Sequence, residues 1–424
     1  MSRPRLTLRT LRKLYTNGQA LLQARQYEAA IDVFRRVAAA GVRDTRAVEI
    51  AASASAAGRE GGAVANAAMN PLYVKASLGL SFCCVEQGKL DEAISTLQGV
   101  MSVEPDNVEA LCELGYIYGL RGMRDASLEA FRRAVDSHPD CAKAHKALGY
   151  YYLQEERVEE AIRECQEAVR LDPRYEMAHV ELAVALGKAG RLEEAVRSMA
   201  RAVKLAPDNV SYYVSLASLL READRDEEAL SVLRLALDIT PRHPEVLENL
   251  AELHLERADY DQALLFAHRL LRAEPNSLHA RDILGVAYLQ QGRINEALRI
   301  ADQMVQLSPT DPAHHFKKAV LFQQKGMIGS AIQEFIRVLE LEPEDDMAND
   351  AREAIEALDG HQMRQILMLA TEDMVFRAKL RRSAEEATRE RGFALSFAGI
   401  AALQNVDFDS LAELQRSTGY PHYH

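Results

Sequence analysis

Residues 142–175 read AKAHKALGYYYLQEERVEEAIRECQEAVRLDPRY, and this 34-residue stretch shows the pattern of most of the chain. Its Pro173 is one of eight prolines that recur at a constant spacing of 34. A fixed period of this length indicates a solenoid of stacked repeat units. When each proline is counted as position 32, eight contiguous units fill residues 74–345 without an insertion. The eight prolines are Pro105, Pro139, Pro173, Pro207, Pro241, Pro275, Pro309 and Pro343.

Three further positions follow the same frame and predict two antiparallel helices in each unit. Position 7 is leucine in seven of the eight units, with Lys318 as the exception, and positions 8 and 20 are always small. Small residues let two helices approach closely, while leucines and aromatic residues fill the layer around them. The proline lacks an N–H and restricts its predecessor, so the second helix should end there. This pattern resembles the tetratricopeptide repeat. The resemblance implies an all-α superhelical solenoid that acts as an interaction scaffold.

The segment before the regular units is interpreted as divergent N-terminal helical repeats covering residues 1–73. Within it, residues 11–44 resemble a weaker repeat in which Val42 replaces the proline. Residues 45–73 are rich in alanine and poor in bulky side chains. Alanine favours helix but buries little area, so this stretch is predicted to be a short degenerate helical pair or a hinge.

After the last proline the period ends, and two further segments are predicted. Residues 346–360 have the apolar spacing of a helix that caps an open solenoid end, with Gly360 as its stop. Residues 361–424 should then form a C-terminal helical module and a polar-aromatic tail. Within the module, Thr371 is expected to be the N-cap of a helix over residues 372–391.

Composition limits the functional classes. The 424 residues are 48% hydrophobic and 27% charged, which is typical of a soluble folded protein. The net charge of −12 argues against general nucleic-acid binding. No apolar run approaches the length of a transmembrane segment, and the N-terminus has no secretory apolar region. The five cysteines are odd in number and lack metal-site spacing, which indicates reduced thiols and a cytoplasmic location.

Motifs for catalysis are absent from the sequence. It has no phosphate-binding glycine loop, no nucleophile elbow and no HExxH motif. No group of His, Cys, Asp and Glu has the spacing of a zinc site, and helical histidines such as His145 and His179 are expected to be packing or surface residues. We therefore expect no enzyme activity, no catalytic residue, no cofactor and no metal.

A binding groove is implied by the family resemblance, because the first helix of each tetratricopeptide unit lines the concave face. Positions 2, 5, 9, 12 and 13 commonly point into that face, where they would contact a protein or peptide partner. The alternative is that neighbouring helices bury the aromatic residues of these positions. The predicted groove residues are Leu78, Phe82, Cys112, Tyr116, Lys143, Lys146, Tyr150, Val180 and Val184.

One unit differs by its glutamates. They recur at helical spacing and should form an acidic stripe on one helix face. A solvated face is one interpretation, and a patch for a cation or a basic peptide is the other. The stripe residues are Glu245, Glu248, Glu252 and Glu256.

The C-terminal module has a second, short resemblance. Phe376-Arg377, Gly392-Phe393 and Leu395-Ser396, within residues 372–414, resemble helical leader regions of bacterial ribosomally made modified peptides. The same pattern resembles the small helical subunit of ring-opening dioxygenases. The first resemblance implies a precursor or substrate whose module is recognised by a modifying enzyme, and the second implies an accessory subunit. Both are alternatives to the interaction scaffold, and intact-mass measurement separates scaffold from precursor.

A last hypothesis concerns access to the groove. Residues 362–424 could dock back onto the solenoid, because a linker within one chain gives a high effective concentration. Tyr420 and Tyr423 are the expected apolar anchors, with the helices around Phe376 and Phe393 as the alternative.

Overall fold

The computed structural model of the protein describes residues 5–42 and 72–408. The chain divides into two compact units, Met1–Ala229 and Leu230–His424. Helices dominate both units, and the predicted all-α repeat architecture is confirmed. None of the described helices is both long and apolar enough to cross a membrane.

The first unit is built from helical pairs. A short parallel strand pair, β1 (Arg5–Leu6) with β2 (Gly41–Val42), holds the two ends of the first pair together. The helix α12 (Asp226–Ile239) spans the boundary between the units. The helices before it are α1 (Leu8–Gln23), α2 (Tyr27–Ala39), α3 (Tyr73–Glu86), α4 (Leu90–Met101), α5 (Val108–Leu120), α6 (Arg124–Ser137), α7 (Ala142–Gln154), α8 (Val158–Leu171), α9 (Glu176–Lys188), α10 (Leu192–Leu205) and α11 (Val210–Glu222).

The second unit continues the pairs and ends in a group of shorter helices. Its helices after α12 are α13 (Pro244–Glu256), α14 (Tyr260–Ala273), α15 (Leu278–Gln290), α16 (Ile294–Leu307), α17 (Pro312–Gln324), α18 (Ile328–Leu341), α19 (Asp346–Glu372), α20 (Met374–Arg382), α21 (Ala384–Glu390) and α22 (Phe397–Gln404).

Close helix approach at position 8 explains why that position is small. A Cβ on Gly115 would lie 2.7 Å from the Phe131 ring, and a Cβ on Gly149 would lie 2.5 Å from the Cys165 sulfur. Real Cβ atoms do not approach this closely, so a larger residue would push the two helices of the pair apart.

The turn inside each pair has one residue in the left-handed conformation, at position 15. Glycine supplies it in five units, with φ between +70° and +77°. Glu156, Asp224 and Ala258 adopt it at φ of 56°, 56° and 58° in the other three. In the first regular unit, Lys89 N–H then donates to the Cys84 carbonyl at 2.8 Å, which ends the helix in the manner of a Schellman motif.

The carbonyl of every repeat proline accepts a hydrogen bond from a side chain further along the chain. The donor is at position 4 of the next unit in five cases and is an arginine of a later helix in the others. These bonds give a partner to the carbonyl of the turn that follows each second helix. The donors, in the order of the prolines, are Arg133, His145, His179, Tyr213, Arg269, Arg281, His315 and Arg352.

The N-terminal helical pair starts at Leu8, before the weaker repeat predicted over residues 11–44, and its interpretation as a divergent repeat stays a prediction. Phe34 of α2 is 1% exposed and packs beside Gly18 and Gly79, so this pair joins the core of the first regular unit. Most of the predicted degenerate pair at 45–73 lies outside the described residues.

The predicted stop at Gly360 is wrong, because α19 continues through it to Glu372. A glycine inside a helix costs about 1 kcal/mol, a penalty that tertiary packing can exceed. Packing is present on both sides of Gly360: Leu358 belongs to the core with Phe335, and Ile366 belongs to the core of the C-terminal module.

The helix expected over residues 372–391 is also corrected. Asp373, not Thr371, is the N-cap, since its side chain accepts from the N–H groups of Val375 and Phe376, both at 2.9 Å. Ser383 then interrupts the helix by accepting from Glu386 N–H at 3.3 Å, so α20 and α21 are separate. Ser396 is the N-cap of α22, since its hydroxyl oxygen accepts from Gly399 N–H at 3.1 Å.

The C-terminal module has a core of its own. Phe376 is 1% exposed within it, and Phe393 packs against the same cluster. Docking onto the solenoid through the helices around these two rings stays a prediction. The other form rests on Tyr420 and Tyr423, which lie outside the described residues.

Candidate functional site

The predicted groove residues, all in the first compact unit, are partly or largely exposed, although several are aromatic or aliphatic. Phe82 is 46% exposed, Tyr116 43% and Val184 40%. Lys143 is exposed, and the other members are half-buried: Leu78, Cys112, Lys146, Tyr150 and Val180. The neighbouring helices therefore leave Phe82 and Tyr116 available for contact.

Two of these rings lie side by side. The centroids of Tyr116 and Tyr150 are 6.3 Å apart with the planes tilted by 48°. They are equivalent residues of consecutive units, on α5 and α7, and both line a recess of about 250 Å³. Aromatic pairs of this geometry form a continuous apolar surface.

Phe82 lines a separate cleft with a volume of about 740 Å³. The apolar lining includes Leu78, Val74 and Val103, while the acidic lining includes Glu109 and Glu113. The remaining lining residues are Tyr15, Gln19, Leu22, Phe34, Lys75, Gly79, Glu104 and Asn107. The cleft thus combines an apolar wall with excess negative charge.

Glu113 is the functional candidate in this cleft that the sequence analysis missed. Burial raises the pKa of its carboxyl from 4.5 to about 7. Its Oε2 atom is buried and has no hydrogen-bond partner among the described residues. Glu113 occupies position 6, which was not among the positions assigned to the groove, so only its acidic character next to an apolar position could have drawn attention to it.

Lys143 and Lys146 take different roles at the groove edge. Lys143 Nζ lies 3.7 Å from Glu109 Oε1, which links consecutive first helices. Burial raises the pKa of Glu181, and the nearby Lys146 ammonium opposes that rise. Both lysines are therefore close to carboxylates of their own chain.

The acidic stripe lies on α13 in the second unit, and folding adds a histidine to it. Glu245 and Glu256 are exposed, while Glu248 and Glu252 are half-buried. His279 Nε2 lies 2.8 Å from Glu252 Oε1 and 3.4 Å from Glu248 Oε1. Burial raises the pKa of the Glu248 carboxyl, and His279 opposes that rise.

This cluster brings together side chains that could hold a metal ion, which the spacing along the chain did not indicate. One ligand atom from each of Glu248, Glu252 and His279 lies within 4.8 Å of the other two. The expectation considered spacing along the chain, whereas these residues come from consecutive units. They occupy positions 5 and 9 of one unit and position 2 of the next, all of which were assigned to the concave face.

Comparisons with known proteins identify the repeats. A family model described as Tetratricopeptide repeat matches residues 114–176, 180–244 and 248–312. The match ends at residue 312, so the resemblance of residues 372–414 to leader regions or to a dioxygenase subunit stays a prediction. No curated protein sequence matches the chain.

Solved structures of similar fold include Pseudomonas aeruginosa PilF, at 19% identity over 49% of this chain and 95% of that chain, with a TM-score of 0.42. A tetratricopeptide repeat protein from Parabacteroides merdae is 14% identical over 66% of this chain and 99% of that chain, with a TM-score of 0.41. The Cut9–Hcn1 hetero-tetramer of APC/C is similar at 17% identity over 80% and 74%, with a TM-score of 0.39.

Proposed function

We propose that the chain, a tetratricopeptide repeat protein, is a non-enzymatic interaction scaffold or adaptor. It binds a peptide or partner helix along the first helices of the repeats in its first compact unit, Met1–Ala229. The observations that support this most directly are the exposure of Phe82 and the exposure of Tyr116, whose ring lies beside the half-buried Tyr150. Exposed aromatic residues that lie together are typical anchors of protein interfaces.

The lining of the cleft suggests the chemistry of the partner. Apolar side chains would pack on Leu78 and Phe82, and a lysine or arginine would face Glu113 and Glu109. One oxygen of the Glu113 carboxyl is buried and has no hydrogen-bond partner among the described residues, which is costly, and a charged hydrogen bond from the ligand would remove that cost. We therefore propose a peptide or helix with apolar residues flanking one basic residue. A cytoplasmic location is part of the same proposal.

Affinity purification with the full chain as bait tests the proposal. The wild type, the Tyr116→Ala/Tyr150→Ala variant and the control Leu235→Ala/Leu265→Ala would be compared by quantitative mass spectrometry. The control removes two exposed leucines, 57% and 49% exposed, from the second helices of their pairs. We expect the amount of each specific partner that co-purifies to fall at least about tenfold with the tyrosine variant and to stay unchanged with the leucine control, since removing an interface hot spot costs more than about 2 kcal/mol of binding free energy.

Two outcomes would contradict the proposal. One is an unchanged set of partners with the tyrosine variant. The other is an equal loss with the leucine control. Circular dichroism of both variants must match the wild type, so that loss of binding is not loss of fold.

A further inference from the structure

We propose that Glu248, Glu252 and His279 form a binding site for a divalent transition metal ion, with Zn²⁺ as the preferred ion. The site lies within the second compact unit, Leu230–His424, and is independent of the peptide-binding proposal. Its ligands would be two carboxylate oxygens and one imidazole nitrogen, which leaves at least one position for water or for a group of a partner.

Backbone geometry brings the three side chains together. Glu248 and Glu252 are four residues apart on α13, so they lie on the same face one turn from each other. His279 is the second residue of α15, which packs directly on α13. The repeat therefore fixes the two helices that hold the ligands, as a preorganised site requires.

The distances fit a single ion with little movement. A tetrahedral zinc ion with bonds of about 2.0–2.1 Å separates its ligand atoms by roughly 3.4 Å. His279 Nε2 is already 3.4 Å from Glu248 Oε1, and its 2.8 Å separation from Glu252 Oε1 would need to lengthen by about half an ångström. The side chains of Glu248, Glu252 and His279 are 40%, 33% and 45% exposed, so an ion could reach them from solvent.

The surrounding charge favours a cation. The negative charges of Glu245 and Glu274 act on the Glu248 carboxyl in addition to that of Glu252. The competing arrangement is a protonated imidazole held between the two carboxylates. Zinc binding separates the two arrangements, because the protonated imidazole needs no metal ion. A preference for zinc over calcium then shows that the imidazole takes part, since imidazole suits zinc and related ions while calcium and magnesium prefer oxygen ligands alone.

The test is calorimetric titration of the tag-free full chain with ZnCl₂ at neutral pH, with CaCl₂ in a parallel titration. The variants are His279→Asn and Glu252→Gln, and the control is Asp350→Asn, which removes one exposed carboxylate of α19. Because free cysteines and the terminal histidines can also bind zinc, the measured quantity is the difference between wild type and each variant. Cobalt absorption in the visible range gives an independent readout of nitrogen and oxygen coordination.

We expect the wild type to bind one more zinc equivalent than either ligand variant, or to bind it at least about tenfold more tightly. The control should stay within about threefold of the wild type, and calcium should bind more weakly than zinc. Identical zinc binding by wild type and both ligand variants would overturn the proposal, as would equal affinities for calcium and zinc.

Discussion

His145 Nδ1 lies 2.7 Å from Glu164 Oε2, while the other ring nitrogen lies 2.9 Å from the Pro139 carbonyl oxygen. The same arrangement recurs at His315, with Glu334 at 2.7 Å and the Pro309 carbonyl at 3.1 Å. A ring that meets an acceptor at both nitrogens can donate at both when it is protonated. These histidines join the end of one unit to both helices of the next.

The first prediction follows from the protonation of His145. Its hydrogen bond with Glu164 is the main cause that raises the pKa of the His145 ring above its usual 6.5. A raised histidine pKa stabilises the fold fully below the unfolded value, and this stabilisation is lost as pH rises through the folded value. His145→Gln should therefore reduce stability by about 1–2 kcal/mol at pH 6, and by less at pH 9.

Urea unfolding of wild type and variant at both pH values measures this effect. The control is Glu164→Gln, which removes the main cause of the shift while leaving the ring in place. In the Glu164→Gln background, the effect of His145→Gln should depend much less on pH. An effect of the same size at pH 6 and pH 9 in the wild-type background would contradict the assignment.

The carbonyl network also shows how far the sequence could predict the fold. The period of 34 and the small residues at position 8 were sufficient for the helical pairs, because each constraint repeats. The donors to the proline carbonyls were not predictable in the same way, since histidine, tyrosine and arginine all serve at one position. His145 and His179 could be recognised as structural residues, but their partners depend on the side chains of adjacent helices.

Single features that do not repeat were predicted less well. Gly360 has the sequence of a helix stop, yet packing on both sides of it extends the helix. Glu113 and His279 depend on neighbours from other units, which are distant along the chain. The groove prediction relied on family positions, so it placed Tyr116 and Tyr150 together and overlooked a carboxylate at position 6.

A second prediction uses the turn at position 15. Ala258 has a φ of 58°, a conformation that is unfavourable by about 1–2 kcal/mol for residues with a Cβ. Ala258→Gly relieves this strain but makes the unfolded chain more flexible, which offsets part of the gain. The net effect should be a stabilisation of about 0.5–1 kcal/mol, visible as a higher thermal midpoint.

Gly292→Ala is the matched reverse change. Gly292 has a φ of +70°, and no heavy atom lies within 4 Å of a Cβ placed there. The change should destabilise the protein by about 1 kcal/mol through backbone conformation alone. If both variants shift the midpoint in the same direction, backbone strain is not the controlling factor.

A third prediction concerns the attachment of α22. Asp359 of α19 is 8% exposed, and its Oδ1 accepts from Ser396 N–H at 2.8 Å while Oδ2 accepts from the Ser396 hydroxyl. Asp359→Ala leaves that N–H buried without a partner, which should cost about 2–4 kcal/mol locally. Hydrogen exchange of residues 394–408 should accelerate at least about tenfold, whereas exposed Asp350→Ala on the same helix should leave it unchanged. Equal exchange in the two variants would show that the Asp359 contact does not hold α22.

The last prediction separates stability from binding at Glu113. The pKa of its carboxyl is about 7 in the folded protein, compared with the usual 4.5. Between these two pH values the folded protein keeps a proton that the unfolded chain releases. The resulting penalty is small below pH 4.5, grows between the two values, and is complete above pH 7. Glu113→Gln should therefore be more stable than the wild type by about 1–2 kcal/mol at pH 8, with the difference vanishing near pH 4. The control Glu129→Gln, at an exposed position, should show no such pH dependence.

The same Glu113→Gln change also tests binding. If a lysine or arginine of the partner donates a hydrogen bond to this carboxylate, the change should weaken partner binding about tenfold, because a charged hydrogen bond contributes about 1.5–3 kcal/mol. Higher stability together with weaker binding identifies Glu113 as a binding residue. Higher stability with unchanged binding would place the basic group of the partner elsewhere.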